Sequence, residues 1–223
     1  MAVQVEFLKS VPHFAGLSLA ELDSIAKLIF ERAAERGETI LLEGEPAEAL
    51  YFVASGVVKV LKTSAEGKEQ ILNIVRPGES FNDVPVFDGG PNAATAQAMG
   101  PVVLYGIRKS DMETIMRDHP QVAMNINKVL AGRMRHLVSL VEDLSFRRVT
   151  GRVAKILLEH AGEGIGSGPR LTQQEMAAMA GTARETIGRS LKTLEEEKAI
   201  RLDRHRIVIT DKEALEEMVE ASS

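Results

Sequence analysis

The chain has 223 residues, 44% of them apolar and 26% charged, with 27 basic against 32 acidic side chains, and it contains no cysteine. A chain of that length is expected to fold as one large or two modest domains. Disulfides, thiolate zinc sites, cysteine-held iron–sulfur clusters and a thiol nucleophile are all excluded, and a reducing cytoplasm fits.

The opening segment MAVQVEFLKSVPHF lacks the basic stretch and long apolar run of a secretory leader. Nowhere do about 18 apolar residues follow one another as a membrane span requires, so a cytoplasmic protein away from the membrane is expected. The net charge of −5 hides a split. Residues 1–144 carry 14 basic against 19 acidic side chains, 145–210 carry 12 against 8, and the remainder 1 against 5. An acidic front followed by a basic section predicts two domains with different partners.

In chain order, Ser18 and Glu21 form a capping-box pattern, and Leu22, Ile25, Ala26 and Ile29 follow at helical spacing, so one amphipathic helix is expected there. From residue 33 to about 107 the texture changes. Thr39–Leu42, Leu50–Val53, Val57–Leu61, Gln70–Val75 and Val102–Tyr105 are short apolar runs punctuated by Gly37, Gly44, Gly56, Gly67, Gly78, Gly89 and Gly90. Short strands with a turn every 7 to 12 residues predict an antiparallel sandwich or barrel, with Ala65–Lys68 as a hairpin tip.

After Asp111 the helical pattern returns, breaks near His119–Pro120, and resumes from about 121 to 144. Asn127, Leu130, Met134, Leu137, Val141 and Leu144 recur at alternating steps of three and four. That is the seam of a two-stranded coiled coil, so the helix is expected to pair with its own copy; a single-chain core helix is the alternative. A further helix covers 147–161, and the glycine-rich stretch 162–169 is a loop. Two capping boxes then follow in tandem, Thr172–Glu175 and Thr182–Glu185, separated by Gly181. Helix, glycine turn, helix is the helix-turn-helix pattern. Strands are expected at Ile200–Leu202 and Arg206–Ile209, then a short helix capped from Thr210.

On the second helix of that pair Ile187, Leu191 and Leu194 face inward, leaving Arg184, Glu185 and Arg189 outward in its first turns. In a helix-turn-helix those turns enter the major groove, where Arg pairs with guanine O6 and N7 and Glu accepts from cytosine N4. A glutamate inside a basic patch gains nothing from phosphates, which favours base reading. Against that, Glu185 also fits the role of capping partner to Thr182.

The run LTQQEMAAMAGTARETIGRSLKTLEEEKAI, with VTGRVAKILL before it, resembles the DNA-binding domain of the CRP/FNR family of bacterial transcription regulators. The resemblance covers the whole chain. It implies an α+β fold made of a cyclic-nucleotide-binding-like jelly roll over 1–120, a dimerisation helix over 121–145 and a winged helix-turn-helix over 146–223. It also implies that Arg184, Glu185 and Arg189 read a GTGA-like half-site in a two-fold operator. Thr150, Gln173, Gln174, Thr186 and Lys192, with Arg204 or Arg206 on the wing, would then touch phosphates, and RNA polymerase would be a further partner.

Cyclic-AMP-binding members of that family carry a Gly-Glu pair for the ribose, an Arg-Ser pair for the phosphate and a Thr-Ser pair for the adenine. Here the corresponding region includes Phe81, Asn82, Asp83 and Val84. Asp83 falls at the ribose carboxylate, Ala93 and Ala94 replace the Arg and Ser, and Leu137 and Val138 replace the Thr and Ser. A buried cyclic phosphate without a cation costs several kcal/mol. Cyclic AMP held in the family's manner is therefore not expected, the pocket should be apolar, and the effector is left unassigned. Haem stays open as a gas- or redox-sensing alternative, although none of His13, His119, His136, His160 and His205 lies in the sheet segment. A cupin-like metalloenzyme is disfavoured because residues 33–107 contain no His. A non-DNA interaction protein with a degenerate winged helix is the remaining rival.

Overall fold

The computed structural model describes residues 2–160, 171–203 and 206–221. The described chain begins with α1 (Ala2–Ser10), a 3-10 turn (Pro12–Phe14) and α2 (Leu19–Ala26). There follow β1 (Ile29–Ala34), β2 (Thr39–Leu41), β3 (Ala49–Ser55), β4 (Val58–Thr63), β5 (Glu69–Val75) and β6 (Ser80–Phe81). Next come α3 (Asp83–Asp88), β7 (Thr95–Ala98), β8 (Val102–Arg108), α4 (Lys109–Asp118) and the 27-residue α5 (Pro120–Phe146). The last elements are α6 (Val149–His160), α7 (Gln173–Ala180), α8 (Arg184–Glu196), β9 (Ile200–Asp203), β10 (Arg206–Ile209) and α9 (Lys212–Glu220). By packing, the chain divides into Met1–Lys62 with Leu72–Arg135, and Thr63–Ile71 with His136–Ser223.

The strands β1 to β8 form two four-stranded sheets of order β1-β8-β3-β6 and β2-β7-β4-β5. Their registered pairs are antiparallel, which gives the expected sandwich. Ala49, Tyr51, Val53, Val58, Phe81, Ala96, Ala98 and Leu104 fill its interior. Tyr51 stacks on Phe81 at 5.5 Å between ring centroids and meets Phe30 edge-on at 5.9 Å. Phe30 lies over Gly106, where a Cβ would sit 2.2 Å from the ring; this close approach requires glycine. The other face of the β1-β8-β3-β6 sheet contributes Leu50, Phe52 and Ile107 to a second core. Leu8, Phe14, Ile25, Met112, Val122 and Ile126 complete it from the helices.

In the second unit Val153, Ala154 and Leu157 of α6, Met176 and Ala177 of α7, Ile187, Leu191 and Leu194 of α8 and Leu215 of α9 share one core. Gly181 closes α7 with φ +63°, and a Cβ there would stand 2.7 Å from the Leu144 Cδ2 atom. Both the left-handed backbone and the missing space demand glycine.

Three expectations are corrected. Ile29 is the first residue of β1 rather than the last of the preceding helix, because α2 stops at Ala26 and Ile29 pairs with Ile107. Helix α8 is capped at Ala183 with no side-chain hydrogen bond, so Thr182 and Glu185 form no capping box. The terminal helix is capped by Asp211, whose carboxylate accepts from the Ala214 N–H at 3.0 Å, and not by Thr210. The boxes at Ser18–Glu21 and Thr172–Glu175 are both present. The glycine-rich stretch 162–169 lies outside the described residues.

Candidate functional site

The outward face of α8 follows from its sequence. Ile187, Ser190, Leu191 and Leu194 are buried; at 100° per residue they occupy one side and leave Glu185, Arg189 and Lys192 near the centre of the other, flanked by Arg184 and Thr186. Arg184, Glu185 and Arg189 are exposed. Since Ala183 rather than Thr182 caps the helix, the pairing of Glu185 with Thr182 that competed with base reading falls away. Glu185 and Arg189 stand one helical turn apart on the same face. The Arg189 Nη2 atom donates to the Thr186 hydroxyl at 3.3 Å, which leans its guanidinium along the helix.

The residues expected at phosphates lie on several elements. Gln173 and Gln174 are exposed in the first turn of α7. Thr150, in the first turn of α6, donates to the Ser190 hydroxyl at 3.4 Å, which places it beside α8. Lys192 is exposed and sits 3.8 Å from Glu196, a surface pair worth little. Arg204 lies outside the described residues. Arg206 begins β10, which pairs with β9 through Arg206 and Asp203, so the two-stranded wing is present.

On α5, Met134, Leu137, Val138 and Val141 are 47–68% exposed, Leu144 is 36% exposed, and Asn127 is exposed. Those apolar side chains form a stripe of the kind a second helix covers. Leu130 behaves differently: it is partly buried against the core of its own chain.

Around Asp83 the chain gathers polar and charged side chains. Asp83 is 1% exposed and opens α3 after Asn82, which adopts the left-handed conformation at φ 70° and donates to the Ala49 carbonyl at 3.2 Å. Arg133 of α5 donates through Nη1 to one carboxylate oxygen of Asp83, and through Nη2 to the Ser80 carbonyl and, at 2.8 Å, to the Ser80 hydroxyl. The other carboxylate oxygen lies 3.2 Å from both His13 Nε2 and the Ser80 hydroxyl. His13 is 2% exposed, set edge-on to Phe52 with centroids 5.1 Å apart. Asn125 of α5 holds its segment by donating to the carbonyls of His13 and Ala15 at 3.2 and 2.8 Å. Burial pushes the Asp83 carboxyl upward, but the hydrogen bond from His13 and the charges of Arg133 and His13 outweigh it, so its pKa lies below the ordinary value.

The chain's own guanidinium and imidazole thus engage both carboxylate oxygens of Asp83. Phe81 is buried beside it, Val84 and Ala93 are exposed, and Ala94 is half-buried. Leu137 and Val138 fall in the second unit at exposed positions. Among the described residues no group of three or more His, Asp or Glu is placed to hold a metal ion. His13, Ser80 and Arg133 were not expected at this site. The one local signal was an Arg beside the apolar seam of α5, since His13 lies 70 residues away from Asp83 in sequence.

An antiparallel sensor roll, a long helix with an unpaired apolar stripe and a winged helix-turn-helix define a DNA-binding transcription regulator. Residues 31–119 match the cyclic nucleotide-binding domain and residues 151–218 the Crp-like helix-turn-helix domain. Over 211 residues the chain is 34% identical to the cyclic AMP receptor protein of Thermus thermophilus, covering 95% of this chain and 98% of that one. It is 32% identical to a CRP-like cAMP-activated global transcriptional regulator of Mycobacterium tuberculosis, covering 94% and 97%. The structure of FixK2 from Bradyrhizobium japonicum superposes with a TM-score of 0.76 at 26% identity, covering 85% of this chain and 96% of that one. The chain belongs to the CRP/FNR family of transcription regulators.

Proposed function

We propose that the protein is a homodimer that pairs through α5, with residues 121–145 as the dimerisation segment between a sensor domain (1–120) and a DNA-binding domain (146–223). Each α8 presents Arg184, Glu185 and Arg189 to one half of a palindromic, GTGA-like operator. The observation that carries this reading is the exposed α8 face, where a glutamate stands one turn from an arginine inside a basic section. A single α8 reads only about four base pairs, and a two-fold pair doubles the site at a spacing of roughly 34 Å. The apolar stripe on α5 supplies the surface for pairing. RNA polymerase enters as a partner through the family, and the cytoplasm as the location.

Two relatives are named for cyclic AMP. In this chain Asp83 is committed to Arg133, His13 and Ser80, and Ala93 and Ala94 offer no group to a phosphate. The effector, if one binds, is therefore of another kind or held in another way. His13 and His119 are each engaged with a carboxylate, Asp83 and Glu21, which supports a reading without haem over the haem-based alternative. The experiment is Arg189→Ala in a fluorescence-anisotropy titration. Loss of affinity for the operator, with binding to random duplex largely kept, supports base reading. Equal losses on both sequences refute it.

A further inference from the structure

The junction between α5 and the DNA-binding helices carries a charge network that the base-reading argument does not use. Asp143, in the last turn of α5, is 8% exposed. Its carboxylate accepts from Lys155 of α6 and lies 3.0 Å from the Arg147 Nε atom. The Lys155 ammonium also donates to the Ser139 hydroxyl, one turn earlier on α5, at 3.0 Å. Arg152 of α6 completes the network. Its Nε atom donates to the Ala180 carbonyl, the end of α7, at 2.8 Å, and its Nη1 atom to the Arg147 carbonyl at 2.6 Å. Arg147 reaches the Val219 carbonyl of α9 at 2.7 Å. On the same side Leu144 packs into the space left by Gly181.

Three of these bonds join different pairs of elements. Lys155–Asp143 ties α6 to α5, Arg152–Ala180 ties α6 to the first helix of the helix-turn-helix, and Arg147–Val219 ties the end of α5 to α9. Arg152 caps the C-terminus of α7, where unpaired carbonyls attract a cation. A planar guanidinium with several donors in fixed directions sets an angle that a lone ammonium does not.

We propose that Asp143 and Arg152 are positioning residues for operator recognition: together with Lys155 they lock the helix-turn-helix at one angle to residues 136–146 of α5, and so fix the half-site spacing that the dimer accepts. This rests on the dimeric base-reading function proposed above. Neither residue lies on the outward face of α8, so neither acts on bases. One base pair changes the separation of half-sites by about 3.4 Å and rotates one against the other by about 35°, a mismatch that a rigid junction resists and a loosened one absorbs.

The test uses the full chain and duplexes carrying two half-sites at spacings from two base pairs short to two long, together with a duplex carrying one half-site. Wild type is expected to favour one spacing at least about tenfold. In Asp143→Ala that preference falls to within about threefold while affinity for the single half-site stays unchanged. Lys155→Gln, at a partly exposed position, gives the same outcome by a milder change and decides the matter if Asp143→Ala does not fold. Selective wild type with equally selective variants overturns the lock and leaves the base-reading function standing. Loss of single half-site affinity in step with the two-site loss also overturns the lock. Wild type without spacing preference overturns both readings.

Discussion

Replacing Asp83 with Asn removes one charge from the buried cluster and keeps its shape. The carboxylate side chain is fully buried and faces Arg133, which is 30% exposed. Removing one member of a buried pair costs about 3–5 kcal/mol. Because Asn keeps one acceptor and Arg133 reaches water in part, the lower end, about 3 kcal/mol, is expected. For a chain of this size each kcal/mol moves the melting temperature by about 2–4 °C, so at pH 7 the variant melts about 6–12 °C lower. The folded Asp83 carboxyl sits below its ordinary value. Its contribution is therefore fully present above the unfolded value of about 3.9 and is lost as pH falls through the lower folded value. Thermal melts by circular dichroism from pH 7 down to pH 3 should show the gap between wild type and Asp83→Asn narrowing in the acid range. A gap that is constant with pH, or absent at pH 7, refutes the assignment of a charged Asp83 held by Arg133 and His13.

Val141→Glu places a charge on the exposed apolar stripe of α5; sedimentation should show a shift from dimer to monomer at micromolar concentration with the fold intact by circular dichroism. Leu191, 1% exposed in the core of the second unit, should cost about 2–5 kcal/mol when cut to Ala, and hydrogen exchange should report faster opening in α6 to α9 while the sandwich strands keep their protection. Cyclic AMP titrated into the protein to millimolar concentration should release no heat in a calorimeter, and a micromolar binding isotherm would show that Arg133 and His13 give way to the nucleotide.

The long elements were legible because their periodicity is strong. The three- and four-residue steps of α5, the capping boxes at Ser18 and Thr172, and the glycine between α7 and α8 each express a local rule. The strands that escaped notice lack one. Strand β7, Thr-Ala-Gln-Ala, has little β propensity of its own and is held by pairing with β2 and β4. Strand β6 is two residues long. The first helix, AVQVEFLKS, alternates apolar and polar at Val3, Val5 and Phe7 as a strand would, yet it folds as a helix that buries Leu8. Tertiary packing overrode the pattern there.

The candidate sites divide in the same way. The outward face of α8 is local, so Arg184, Glu185 and Arg189 could be selected from spacing against Ile187, Leu191 and Leu194. Two chain partners of Asp83, His13 and Arg133, come from positions 70 and 50 residues distant, and no periodicity links them. Comparing Asp83 with the family pattern found the carboxylate but not its partners, because a pattern compares identities and is blind to an imidazole arriving from a separate segment.

The two faces of α8 answer to different constraints. Ile187, Leu191, Leu194 and the glycine before the helix are hemmed in by neighbours, so exchanges there disturb the whole domain. Arg184 and Glu185 are exposed, and among the described residues the guanidinium of Arg189 bonds the Thr186 hydroxyl on its own helix. On the proposed reading, preference for a DNA sequence is thereby uncoupled from foldedness: a lineage, or an engineer, could re-letter the operator by exchanging surface side chains one at a time while every intermediate stays folded.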